Sequence, residues 1–171
     1  MLDRHIYLIG MPGSGKSSLG KRVARETSLP YADMDGLITE AAGRPVEEIF
    51  ADFGEAAFRR AETNMLCMLT RARPTIISTG GGTVMNPVNR KIMRCWGRIV
   101  LVDRPLEDIL GDIRLEHRPL LREGGPDKLR ELYAERMPIY RSAADDTLKN
   151  DHGYHAAMHE MIRLLRERFG V

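Results

Sequence analysis

Gly10-Met11-Pro12-Gly13-Ser14-Gly15-Lys16-Ser17 follows the pattern G-x-x-x-x-G-K-[ST], and the residues on either side decide what that pattern means. Ile6-Tyr7-Leu8-Ile9 ahead of it is a short apolar run of the kind a buried strand shows. Ser18-Leu19-Gly20-Lys21-Arg22-Val23-Ala24 behind it reads as a helix. A glycine-rich turn between strand and helix offers backbone N–H groups and the positive end of the helix macrodipole to an anion. The stretch therefore reads as a nucleotide phosphate loop, with Gly13, Ser14, Gly15, Lys16, Ser17 and Ser18 around the phosphates. Lys16 reaches the β- and γ-phosphates, and the Ser17 hydroxyl can ligate Mg²⁺.

Outward from this loop, strand-like and helix-like segments alternate. Strands are expected at residues 6–9, 30–32, 75–79, 99–102 and 147–149. Helices are expected at 16–27, 35–42, 45–50, 55–70, 87–96, 105–113, 126–140 and 154–169, several of them opening on a proline. Ile99-Val100-Leu101-Val102 is apolar at every position, as a parallel strand covered by helices on both faces requires. Met158, Met161, Ile162, Leu165 and Phe169 recur at helical spacing and predict a core-facing stripe. The alternation predicts a single three-layer α/β domain over residues 1–171.

Composition narrows the function classes. The 171 residues are 43% apolar and 29% charged with a net charge of +2, a balance that points to neither a nucleic-acid nor a membrane surface. Cys67 and Cys95 stand far apart in no metal or redox spacing, so reduced thiols and a cytoplasmic location are expected. No apolar stretch approaches the length of a membrane span, and the first residues run directly into a strand, so no signal peptide is expected.

Four further features bear on the loop. Asp33-Met34-Asp35 follows the second strand, and alternation in an extended segment would turn both carboxylates to one side. Such a pair suits a magnesium ion or a hydroxyl to be deprotonated; a plain turn with Asp35 capping the next helix is the simpler alternative. Gly80-Gly81-Gly82 closes the third strand, where close approach of a ligand to the main chain would justify three glycines. Arg59, Arg118 and Arg136 offer planar forks for carboxylate or phosphate. Glu123-Gly124-Gly125-Pro126 ends a segment that could close as a lid.

Taken in order, the phosphate loop, Asp33-x-Asp35, Gly54-Glu55-x-x-Phe58-Arg59-x-x-Glu62, Gly80-Gly81-Gly82, Arg118-Pro119-Leu120-Leu121 and Arg136-x-Pro138-x-Tyr140 resemble the shikimate kinase family. That resemblance implies a P-loop kinase with a five-stranded parallel sheet of order 2-3-1-4-5, helices on both faces, and a lid at about 114–126. It implies transfer of the ATP γ-phosphoryl group to the 3-hydroxyl of shikimate, on the route to chorismate and aromatic amino acids. The substrates would be shikimate and ATP, the cofactor Mg²⁺, and the protein a monomer without nucleic-acid or membrane partners. By the same resemblance Asp35 binds shikimate and acts as the base, while Lys16 and Arg118 assist transfer at the phosphates. Arg59 and Arg136 grip the carboxylate, with Glu62 orienting Arg59. Gly81 offers its N–H to the substrate, Phe50 and Phe58 wall the ring, and Ser17 and Asp33 serve the metal.

Two positions depart from the family pattern. Gly111 stands seven residues before Arg118, where an arginine often stacks on adenine, with Arg114 one helical turn on. Asn150-Asp151-His152-Gly153 occupies the loop where many members carry another arginine. The adenine contacts are therefore left open by the sequence. Asp103, at the end of an apolar strand, could be mistaken for a magnesium ligand, and His152, His155 and His159 for a metal site; a strand end and a solvated helix face are the expected readings. A gluconate kinase or another small-molecule kinase of the same fold is the nearest alternative, and a nucleotide-binding module without activity is the alternative from another class.

Overall fold

The computed structural model describes residues 2–112 and 125–170. The expected lid at 114–126 lies outside them except for its last two residues, as do Arg114 and Arg118. The described chain runs β1 (His5–Ile9), α1 (Lys16–Thr27), β2 (Tyr31–Asp33), α2 (Met34–Ala42), α3 (Val46–Leu69) and β3 (Ile76–Ser78). After a 3₁₀ turn at Thr83–Met85 follow α4 (Pro87–Trp96), β4 (Gly97–Asp103), α5 (Leu106–Asp112), α6 (Gly125–Ala143), β5 (Asp146–Lys149) and α7 (Tyr154–Phe169). All pairings are parallel and the strand order is β2-β3-β1-β4-β5.

Alternation along the strands builds two cores. Ile6, Leu8, Ile76, Val100 and Val102 turn to one face, where they pack with Leu19 and Val23 of α1 and with Met158, Met161 and Leu165 of α7. Tyr7, Ile9, Ile77, Ile99 and Leu101 turn to the other, against residues of α2 to α6 such as Met34, Leu66, Met93, Ile109 and Tyr140. Helices cover both faces, so the three inner strands β3, β1 and β4 are buried through their middles, while the edge strands β2 and β5 are only partly so.

One boundary agrees with expectation and one differs. The helices expected at 45–50 and 55–70 are the two parts of α3, separated at Gly54, whose φ of 76° and ψ of 169° leave the helical region. The extended segment expected to carry both Asp33 and Asp35 ends at Asp33. Asp33, not Asp35, caps α2, its side chain accepting from the Gly36 N–H, and Asp35 lies in the first helical turn. A carboxylate at the N-cap satisfies a helix donor that would otherwise lack a partner, which favours starting the helix one residue earlier.

Parallel pairing brings the C-terminal ends of all five strands to one edge. The phosphate loop, Asp33, the Gly80–82 segment, Arg104 and Asn150 each follow directly from one of those ends. Open parallel sheets bind ligands at that edge.

Candidate active site

The phosphate loop is held largely through its own backbone. Gly10 has a φ of 143° and a Cβ there would stand 2.6 Å from the Val102 carbonyl oxygen, so only glycine fits where the loop crosses β4. Gly15, with a φ of 94°, is the N-cap of α1 and gives the loop its left-handed turn. Lys16 is buried, its Nζ donating to the carbonyls of Gly10 at 2.9 Å and Met11 at 2.8 Å. Neighbouring strands fasten the outside of the loop: Asn150 Nδ2 donates to the Ser14 carbonyl at 3.0 Å, and Arg104 NH1 to that of Gly13 at 3.1 Å. A cavity of about 380 Å³ opens beside the loop, lined by Gly13, by Gly15 to Ser18, and by Arg104 and Asp112.

Asp33 sits at the end of β2 and is linked to the start of α1 through Tyr31. Tyr31 Oη lies 3.3 Å from Asp33 Oδ2, 3.2 Å from the Ser17 carbonyl and 3.1 Å from Ser78 Oγ, tying the strand end to the start of α1. Burial raises the Tyr31 hydroxyl above its ordinary pKa, and the Asp33 charge adds to that. The Ser17 hydroxyl and the Asp33 carboxylate are hard oxygen donors, and two of them suit Mg²⁺, which keeps most of its shell for water and substrate phosphates. Among the described residues no group of three or more His, Cys, Asp or Glu could hold a metal by itself.

The glycine triplet is explained by what crowds against it. A Cβ on Gly80 would lie 2.6 Å from Glu62 Oε1 and 2.7 Å from Asp35 Oδ1. One on Gly81 would lie 3.1 Å from Pro12 of the phosphate loop and 3.6 Å from Arg136 NH1. One on Gly82 would meet Arg59 NH1, NH2 and Cζ well inside contact distance. None of the three has a positive φ, so close approach rather than backbone conformation requires glycine here. Sequence reasoning expected a ligand against this main chain; the structure adds that Asp35, Glu62, Arg136 and Arg59 converge on it from three helices.

A buried network fixes those side chains. Glu62, fully buried on α3, accepts from Arg59 NH1 at 2.6 Å and from Thr83 Oγ1 at 2.5 Å. Arg59 also donates from Nε and NH2 to Glu55 Oε1. Partial burial lowers the guanidinium, but the Glu62 and Glu55 carboxylates outweigh it and leave its pKa raised. Arg136 on α6 is buried, and its Nε has no hydrogen-bond partner among the described residues. Leaving a buried charged donor unsatisfied is costly, which marks this group as one that awaits an acceptor. Tyr140, one turn further on, donates to the Gly81 carbonyl at 2.5 Å; burial pushes its hydroxyl up to about 12, so it stays a donor. The Phe50 and Phe58 rings stand 4.8 Å apart beside Arg59.

The residues read as decoys sit elsewhere. Asp103 faces Arg141 at 3.7 Å, and His152, His155 and His159 are exposed. Arg104 and Asp112 escaped the sequence reading; the one available signal was that Arg104 directly follows a strand whose C-terminal end must reach this edge. Gly111 has open space where a Cβ would stand, so packing does not impose glycine there.

A family model described as shikimate kinase matches residues 12–166. The shikimate kinase of Paracidovorax citrulli is 41% identical over 171 residues, covering 97% of this chain and 93% of that relative. The solved structure of shikimate kinase from Acinetobacter baumannii in complex with shikimate superposes with a TM-score of 0.88 at 33% identity, covering 96% of this chain and 92% of that one. The shikimate kinase of Aquifex aeolicus gives a TM-score of 0.83 at 33% identity, covering 98% and 99%.

Proposed function

The chain belongs to the shikimate kinase family, and we propose how it divides the phosphorylation of shikimate by ATP between the two sides of its strand-end cleft. Arg59 and Arg136 bind the shikimate carboxylate, and the Gly81 N–H holds the ring from the glycine side, with Phe50 and Phe58 walling it. Asp35 accepts the proton of the 3-hydroxyl as that oxygen attacks the γ-phosphorus. Phosphoryl transfer asks mainly for positioning and for charge placed where the transition state needs it. Lys16 and the phosphate-loop N–H groups supply that charge on the donor side, and Arg118 supplies it from the lid. Ser17 and Asp33 would hold Mg²⁺, whose charge neutralises the β- and γ-phosphates when bound.

The observation that carries this reading is the glycine triplet, against which the Asp35 carboxylate, Arg59, Arg136 and Pro12 of the phosphate loop all lie. A base, a carboxylate clamp and a phosphate loop at one edge match an acceptor that has both a hydroxyl and a carboxylate. We also read the protein as one domain with residues 114–126 as its lid, acting as a cytoplasmic monomer. Both cysteines are exposed and free, and no helix among the described residues is long and apolar enough to cross a membrane. The test is ADP release with shikimate, gluconate and nucleoside monophosphates offered separately. Turnover with shikimate alone is expected, and none at millimolar shikimate overturns the reading.

A further inference from the structure

Thr83 follows the glycine triplet directly and, like Glu62, is fully buried. Its main chain is held on both sides. Its N–H donates to the Gly80 carbonyl at 3.2 Å, and its own carbonyl accepts from Asn89 Nδ2 at 2.9 Å. Asn89 is buried in turn and accepts from Thr63 Oγ1 at 2.9 Å. Those bonds fix the backbone that carries the Thr83 hydroxyl, which donates to Glu62 Oε1 at 2.5 Å.

The two oxygens of Glu62 are divided between two donors: Oε1 takes Thr83, and Oε2 takes Arg59 NH1 at 2.6 Å. The last torsion of a glutamate side chain is broad, so a single donor sets the plane of its carboxylate loosely. A second donor on the other oxygen fixes that plane. Arg59 is also held by Glu55, which receives its Nε and NH2. Glu55 is 51% exposed and Glu62 only 1%, so the buried partner is the firmer anchor. These bonds engage three of the five guanidinium N–H groups and leave one on each terminal nitrogen for an incoming carboxylate.

We propose that Thr83 is a positioning residue for the acceptor: its hydroxyl orients the buried Glu62 carboxylate, which aims the Arg59 guanidinium at the carboxylate of shikimate. The role rests on the reading of Arg59 as part of the carboxylate clamp. Thr83 acts through Glu62 and Arg59, without touching the substrate.

Calorimetric binding of shikimate and steady-state kinetics on the full chain test this in a cycle of Thr83 and Arg59 variants. Thr83→Val keeps the shape and removes the donor. It should weaken shikimate about tenfold, the scale of one hydrogen bond to a charged group, and leave kcat and the KM for ATP within about twofold. Thr83→Ser restores the hydroxyl and should return shikimate affinity to within about twofold of the unaltered protein. In an Arg59→Ala background Thr83→Val should weaken shikimate no further, because the two residues act in series. Unchanged shikimate affinity in Thr83→Val, no recovery in Thr83→Ser, an equal loss of ATP affinity, or an undiminished effect in the Arg59→Ala background each overturns the assignment. If Thr83→Val does not fold, Thr83→Ala takes its place in the cycle with the same outcomes. Full shikimate affinity in Arg59→Ala alone would overturn the clamp reading instead.

Discussion

On the proposed acceptor side of the cleft, Asp35, Glu62, Arg136 and Arg59 are wedged against three consecutive glycines, with Glu62 bonded to both Arg59 and Thr83. On the donor side the phosphate loop is shaped by positive-φ glycines and by hydrogen bonds to its carbonyls from Lys16, Arg104 and Asn150. In the proposed reading the first region holds its ligand with side chains, and the second holds the phosphates mainly with main chain. Substitutions on the acceptor side should therefore damage function at little cost in stability. On the donor side the same size of change should disturb both.

The largest expected effect is at Asp35. Asp35→Asn keeps shape and removes the base, so kcat should fall by about 10²-fold or more while both substrates still bind. A drop confined to KM would mean that Asp35 only positions the acceptor. Next comes Gly82→Ala. Its Cβ would collide with the Arg59 guanidinium, the flexible end of a long side chain that can swing away. Folding should therefore be nearly unchanged, while the KM for shikimate rises between roughly 10- and 100-fold, the loss expected for charge-assisted hydrogen bonds. Arg59→Ala should reproduce that rise, and the KM for ATP should stay put in both. A matched loss of ATP affinity would break the division between the two sides.

The phosphate loop was legible in the sequence because its geometry demands glycine at fixed offsets between a strand and a helix, a local requirement. The acidic pair was legible as a site but not in its geometry. Capping by Asp33 starts α2 early, so Asp33 is engaged by Tyr31 and the Gly36 N–H while Asp35 lies against Gly80. The glycine triplet could be read as a place of close approach, yet what approaches it comes from α2, α3 and α6 and depends on how those helices pack. Arg104 was invisible for a related reason. It meets Gly13 across 91 residues of sequence, through the adjacency of β4 and β1 that only the strand order supplies.

Gly10→Ala tests the donor side with a smaller expected effect. Its Cβ would press on a backbone carbonyl, which cannot swing aside, and its φ of 143° is one that alanine resists. A strained residue of this kind costs roughly 1–3 kcal/mol. For a chain of this size that corresponds to a Tm lower by about 2–4 °C per kcal/mol. The KM for ATP should rise with the fall in Tm, and shikimate affinity should hold. If Tm and ATP affinity separated, main-chain shape would not be what binds the phosphates.

The smallest effect is expected at the opposite edge of the sheet, and it serves as the baseline for both sides. His5 opens β1, the strand whose other end carries the phosphate loop, and its buried Nδ1 accepts from the Thr75 N–H at 3.2 Å. Burial pushes the imidazole below its ordinary value of 6.5, so the folded chain holds it neutral. As pH falls through 6.5 the unfolded chain takes up the proton first, and stability falls. The contribution is complete above that value and is lost progressively below it, until the folded imidazole also titrates. Melting temperatures followed from about pH 8 down to about pH 5 should show this acid-side decline, with a shallower slope in His5→Gln. An unchanged slope in the variant would remove His5 as its source. Neither substrate affinity should move in His5→Gln at neutral pH, because His5 lies at the end of β1 away from the phosphate loop. A shift in ATP affinity would show that β1 transmits changes along its length to the loop, and the donor side would then depend on more than its own backbone.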